Sequence, residues 1–270
     1  MKVQQKVLLT EHGTPVRVSG RGPTVILVHG VLMDHRMWFR QVEALSPHYR
    51  VCCMDMLGHG DAPDPPGERA LDDFVTQLSE VVQRFSDAGR PVLGGFSMGG
   101  LVAQAYAARH HDRLSGLILL STVHDRTPEE SAAVRARFER NVSCGVENAV
   151  ASGASRWFTQ QDHATHAETI KAIQGWMRDG NFAAKRKAHG VFVTSDSAVS
   201  GKLGAISCPA LIMTGEQDGG STPAMSHKMA AAMPNAELHV LEGQHHMLPL
   251  LDAPRVNRLL LDFLSRCTQT

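Results

Sequence analysis

The sequence predicts an α/β fold, a mostly parallel central sheet flanked by helices with a helical cap inserted over one edge. Three observations carry that expectation. Short apolar, often β-branched runs such as Thr24–Val28 and Ala210–Thr214 read as strands buried on both faces. Longer segments with apolar residues at helical spacing lie between them, and such alternation makes a parallel sheet covered on both sides. Residues 126–202 break the alternation, carrying helical patterns with no strand between them.

Along the chain, Val7–Thr10 and Val16–Val18 flank Glu11-His12-Gly13 and read as an opening β-hairpin. Thr24–Val28 and Arg50–Met54 are buried strands, with helical spacing from Trp38 to Leu45 between them. Leu71–Phe85 is an amphipathic helix with Leu71, Phe74, Val75, Leu78, Val81, Val82 and Phe85 on one face. A strand over 91–94, a helix over 99–110 and a strand from Leu114 to Leu120 follow. The irregular region offers helices over Pro128–Asn141, Glu147–Phe158, Ala167–Met177 and Phe182–Val191. The chain then returns to a strand (Ala210–Thr214), a helix (Pro223–Met233), a strand (Glu237–Leu241) and a closing helix (Pro254–Leu264). The expected division is a core of residues 1–125 with 203–270, and a cap of residues 126–202 over the carboxyl edge of the sheet.

A chain of 270 residues can bury one large core, and its 27 basic and 27 acidic residues balance. Lys185-Arg186-Lys187 is too short for a nucleic-acid footprint and reads as a solvated helix face. No nucleic-acid partner is therefore expected, and because the longest apolar runs are strand length, no membrane is expected either. Met1–Lys6 lacks the apolar stretch of a secretory leader. The five cysteines, at 52, 53, 144, 208 and 267, form no metal-ligand spacing; Cys52, Cys53 and Cys208 read as small core residues. A reduced cytoplasmic location follows as the expectation.

The chemistry centres on Gly95-Phe96-Ser97-Met98-Gly99, directly after the apolar run 91–94. Glycines two positions either side of a serine let strand turn into helix sharply, and the helix start suits a developing oxyanion. A serine hydroxyl needs a base to take its proton, and the base needs a third group to fix its tautomer. Past Ser97, the sequence offers Asp218 after strand 210–214 and His246 after strand 237–241, both at the edge that receives Ser97. Each has a plainer reading. Asp218 could simply shape the Gly219-Gly220 turn, and His245 competes with its neighbour. His246 is favoured because Gly243-x-His245 fills the space before it, and Asp125 is the runner-up acid. The oxyanion donors are expected to be the N–H groups of Met98 and of Val31, in the loop that follows strand 24–28. His29 is expected to hold that loop, and the Met98 side chain to form pocket wall.

These motifs resemble the α/β-hydrolase superfamily over essentially the full length. Val28-His29-Gly30, Asp55-x-x-Gly58-His59-Gly60, Gly95-x-Ser97-x-Gly99-Gly100, Gly215-x-x-Asp218 and His246 carry the resemblance. Within it, Asp34-x-Arg36-Met37-Trp38, Thr214-Gly-Glu-x-Asp218 and His246-Met-x-Pro249 look like the 3-oxoadipate enol-lactonase branch, which includes hydrolases of substituted methylene-succinates. The chain departs from the branch pattern at His29, where lactonases often carry another residue, and at His245, which replaces the usual glycine before the base.

The resemblance implies an α/β-hydrolase fold and a cofactor-independent, metal-free serine hydrolase. It would cleave an ester, enol-lactone or related amide of a small mono- or dicarboxylate, with Ser97, His246 and Asp218 as its triad. Guanidinium groups suit carboxylates. Arg36 after the oxyanion loop, and Arg126, Arg156 and Arg178 beside Trp157, Phe158 and Trp176, supply them; Arg36, Trp157 and Arg178 are the substrate-binding candidates. A C–C bond hydrolase of ring-cleavage products and a non-catalytic receptor on the same fold are the alternatives, and a homo-oligomer stays open.

Overall fold

The structure is a computed structural model that describes residues 5–268. Most of the stretch on which the leader expectation rests, Met1 to Gln4, lies outside the described residues. Among those described, no helix is long and apolar enough to cross a membrane.

Eight strands form one sheet. The hairpin β1 (Lys6–Leu9) and β2 (Pro15–Ser19) leads to β3 (Thr24–Val28), β4 (Arg50–Met54), β5 (Val92–Phe96) and β6 (Gly116–Leu120), and β7 (Ala210–Gly215) and β8 (Ala236–Leu241) follow the insertion. Their spatial order is β1-β2-β4-β3-β5-β6-β7-β8. Only β1–β2 and β2–β4 pair antiparallel; every pairing from β4 to β8 is parallel. The all-apolar strands are the central ones, where helices cover both faces and no polar face is needed: β3, β5, β6 and β7 are buried along their whole length.

Between strands run α1 (Phe39–Leu45), α2 (Leu71–Arg84) and α3 (Met98–His110). The chain order reverses direction across β3 and β5, and such a switch point opens a crevice at the strands' carboxyl ends. The break after β6 is wholly helical, as its periodicity predicts: α4 (Pro128–Cys144), α5 (Val146–Trp157), α6 (Gln160–Thr165), α7 (Ala167–Arg178) and α8 (Phe182–Thr194). The short α6 had no periodic signal; it is nucleated by a capping box in which Thr159 and Asp162 bond each other's backbone. After β7 come α9 (Pro223–Ala232), the one-turn α10 (Leu248–Leu251) and the closing α11 (Ala253–Cys267). Cys52, Cys53 and Cys208 are buried free thiols, as expected of small core residues.

One expectation fails in the insertion. Lys185 is not on a solvated face but buried, its ammonium bonded to three backbone carbonyls. Only Arg186 of that trio is exposed, and Lys187 is paired with Asp64.

Candidate active site

Ser97 lies between β5 and α3 with φ 53° and ψ −115°, a conformation costing a non-glycine residue about 1–3 kcal/mol. Neighbouring glycines make the turn sterically feasible. A Cβ on Gly95 would lie 2.3 Å from the Gly99 carbonyl oxygen, and one on Gly99 2.3 Å from that of Val28. The peptide is held from below: the Ser97 N–H donates to Leu120 O at 2.9 Å, and the buried Thr122 hydroxyl donates to Ser97 O at 2.7 Å.

Asp218 is buried just past β7, and its two oxygens do separate work. Oδ1 accepts the Gly220 and Ser221 N–H groups, both at 2.9 Å, and Oδ2 faces His246 Nδ1 at 2.7 Å. A carboxylate only accepts, so Nδ1 carries the proton and Nε2 is left as the basic nitrogen. Burial works against ionisation of Asp218, yet His246 and the two amides outweigh it and hold its pKa below the ordinary value of 3.8. The plainer reading of Asp218 as a turn-former is therefore also true, of the other oxygen. His246 is packed between Phe96, 4.9 Å away between centroids, and Trp157, stacked at 5.5 Å and 25°. Its neighbour His245 has a buried Nδ1 with no partner, and Asp125 accepts from Ser200; neither joins the Asp218–His246 pair.

The loop after β3 is fixed by two neutral histidines. His29 is fully buried, which lowers its pKa; its Nε2 accepts the Met56 N–H at 2.9 Å, so Nδ1–H donates to Gly30 O at 2.8 Å. Met33 N–H donates to the same oxygen at 3.2 Å. In a trans peptide the N–H points opposite to the C=O. The Val31 N–H is thereby turned away from both bonds, and Val31 lines the cavity beside Ser97. Burial likewise holds His59 neutral, where its Nε2 accepts the Leu32 N–H at 3.2 Å. Met98 opens α3, so its N–H has no carbonyl one turn earlier to bond. The Met98 side chain, expected as pocket wall, is instead fully buried in the core, because the first turn of α3 packs under the sheet's edge.

Ser97 and His246 open onto one cavity of about 50 Å³ between the sheet edge and the insertion. No hydrogen bond joins Ser97 Oγ to His246 among the described residues, a separation common before substrate is bound. The facing wall carries Arg126, Arg137, Arg156 and His189, and among the described residues no acidic side chain lines the space. Arg126 pairs with Asp196 at 3.0 Å, but its Nη2 is buried without a partner. Among the described residues Arg156 bonds only the Ser152 carbonyl, and its pKa falls to about 10, through burial first and then the Arg137 charge, with Asp218 opposing. Burial, followed by Arg137, Arg156 and Arg126, drives His189 down to about 3. A place that so disfavours protonation is one where an anion is welcome.

Trp157 is the one substrate-binding candidate that reaches this space. Arg36 does not: it is clamped by Asp34 (2.6 Å) and Asp179 (2.8 Å), tying the loop after β3 to the end of α7. Nor does Arg178, which projects outward from α7 to pair with Glu147. Sequence reading missed Arg137, Asn141 and His189. A signal was there: Val134, Arg137 and Asn141 stand at i, i+3 and i+7 on α4 and so share the face that meets the cavity. Among the described residues, Asp34, His35 and Asp55 come near enough for a metal, but their oxygens already serve Arg36, Arg17 and His35.

The family model described as the alpha/beta hydrolase fold matches residues 23–143. An (E)-2-((N-methylformamido)methylene)succinate hydrolase from Acinetobacter baylyi is 29% identical over 246 residues, covering 91% of this chain and 92% of its own. A thermophilic esterase from Thermogutta terrifontis, solved with malate bound, aligns at a TM-score of 0.81 and 27% identity, covering 98% of this chain and 100% of that one. The enol-lactonase from Burkholderia xenovorans aligns at 0.84 and 26% identity, covering 96% and 100%.

Proposed function

The chain belongs to the α/β-hydrolase superfamily, and from that premise we propose that it is a cofactor-independent serine hydrolase acting on an ester, enol-lactone or related amide of a small dicarboxylate. One observation carries the substrate class: a cavity with Ser97 and the Asp218–His246 pair on one wall and three arginines, without an acid, on the other. Names among the relatives and neighbours, a methylene-succinate hydrolase, an enol-lactonase and a malate-bound esterase, point the same way.

In this reading Ser97 Oγ attacks the carbonyl while His246 Nε2 takes its proton. Asp218 keeps the imidazole in the required tautomer and stabilises its cation. The Val31 and Met98 N–H groups receive the oxyanion, and His246 returns the proton to the leaving group. A water deprotonated by His246 then clears the acyl-enzyme. Arg137 and Arg156, with the spare Nη2 of Arg126, hold the substrate carboxylates. Residues 126–202 act as the cap over the core of 1–125 and 203–270, and Trp157 roofs His246. The cavity is small, which restricts the acyl part to a short acid unless the cap opens.

The test has two parts. A serine-directed phosphonate should label Ser97, read by peptide mass spectrometry, and abolish turnover of p-nitrophenyl acetate. A panel of neutral esters, dicarboxylate esters, enol-lactones and amidomethylene-succinates should then favour the dianions in kcat/KM. Turnover of a vinylogous diketone but of no ester would replace this reading with C–C bond hydrolysis. Labelling without multiple turnover of any member would leave a receptor.

A further inference from the structure

A lysine whose ammonium is buried among carbonyls, with no carboxylate in contact among the described residues, sits just behind the loop that presents Val31. Lys185, on α8, is 1% exposed. Its Nζ donates to Trp176 O at 2.8 Å and Met177 O at 3.4 Å, the last carbonyls of α7, and to Leu32 O at 3.4 Å. An ammonium has three N–H groups, and here each has one carbonyl. Leu32 is the residue that most needs restraint in that loop, since it holds a φ of 64° that a bulky side chain rarely adopts. Its N–H is already fixed by His59, so Lys185 supplies the other half of the grip, at the carbonyl.

We propose that Lys185 is a positioning residue that couples the seating of the cap to the oxyanion donor. It clasps the end of α7 and the Leu32 peptide with one cation. The peptide that bears the Val31 N–H is one residue away, and the two move together because Met33 N–H closes the turn on Gly30 O. When the cap lifts to admit substrate, α8 and the end of α7 carry Lys185 away and the loop loses a restraint. When the cap seats again, the oxyanion donor is reset for the transition state. Burying an ammonium is costly, so a purely space-filling role would be better met by methionine. This rests on the oxyanion role proposed for Val31.

Lys185→Met, and Lys185→Gln, which keeps two N–H donors, are compared with wild type on p-nitrophenyl acetate, a neutral ester that makes no use of the arginines. Lys185→Met should lower kcat about tenfold or more, below the hundredfold scale of deleting a donor outright, with KM within about twofold. Phosphonate labelling of Ser97 should slow in parallel, and Lys185→Gln should recover part of both rates. Ile173→Ala, which removes core packing from α7, serves as the stability match. If it lowers kcat as much as Lys185→Met at equal loss of Tm, or if Lys185→Met stays within twofold of wild type, the coupling is wrong. Should the methionine variant not fold, Lys185→Gln decides by the same criteria. Wild type that is not labelled at Ser97 sinks the serine-hydrolase reading instead, whatever the lysine variants do.

Discussion

The two walls of the cavity are built from different materials. On the sheet side the groups are anchored through backbone: Ser97 by a glycine-permitted turn, Val31 by two bonds to Gly30 O, and His246 through an Asp218 that two amides hold. On the insertion side the groups are long side chains: Arg126 just before α4, Arg137 on α4 and Arg156 on α5. The difference teaches where precision is needed. Chemistry tolerates errors of a few tenths of an ångström poorly, so its donors are fixed by short-range sterics. Binding a carboxylate tolerates more, and a guanidinium on a flexible stem suffices.

The sharpest way to break the comparison is at Ser97. Ser97→Ala should lower kcat by roughly a thousandfold or more on any ester the wild type cleaves, because in the proposed mechanism the triad members act as a unit. Near-normal single-turnover rates in that variant would move the chemistry off the sheet wall altogether.

Backbone precision has a steric counterpart. Gly99→Ala places a methyl 2.3 Å from a main-chain oxygen of β3, which only backbone movement relieves, and should cost about 1–3 kcal/mol or more. Gly175→Ala, in the last turn of α7 with nothing within 4 Å, should instead gain about 0.5–1 kcal/mol. Urea melts of both variants check the pair. Equal effects of the same sign would mean that the two walls are not differently constrained.

The arginine wall should fail in KM rather than in kcat. Arg137→Gln and Arg156→Gln should each raise KM for a dicarboxylate substrate roughly 10- to 100-fold, the worth of one charge-assisted hydrogen bond pair. Hydrolysis of p-nitrophenyl acetate should change little. A comparable loss on the neutral ester would make these arginines part of the chemistry.

The same contrast governs what the sequence discloses. The sheet wall was legible because its requirements are local: glycines around Ser97, an acid and a histidine past consecutive strand ends. Even the choice of His246 over His245 followed from spacing, and the hydrogen bond to Asp218 falls on His246. The insertion was legible as helices and not as a wall. Arg36 and Arg178 look as eligible as Arg137 and Arg156 until tertiary packing decides which helix face turns inward. Arg36 and Arg178 found acids, Asp34, Asp179 and Glu147, and Arg137 and Arg156 did not. Lys185 reads as solvated for the same reason. A charge run tells its own composition but not which member of the run has neighbours waiting behind it.

Titration offers the finest test, because the two walls should respond to pH in separate windows, the sheet side in acid and the insertion side in alkali. On the sheet side buried carboxylates are held ionised: burial opposes this, but for Asp55 the bond from His35 and the charges of His29 and His35 win and bring it to about 2, and Asp218 also lies below 3.8. A depressed acid contributes stability above its unfolded value that is lost as pH falls through the folded one, so this part weakens from about pH 4 downward. On the insertion side burial lowers Lys185 to about 8, opposed by Asp34, Asp179 and Asp55 and assisted by Arg36, and His59 also faces it. Between pH 8 and the unfolded value of 10.5 the unfolded chain binds the proton that the folded chain has released. Stability due to Lys185 therefore rises with pH across that window. Urea unfolding at pH 7.5 and 9.5 should show wild type gaining on Lys185→Met over that interval, whereas a gap that stays constant or narrows would put the ammonium in contact with water and undo its place behind the oxyanion loop.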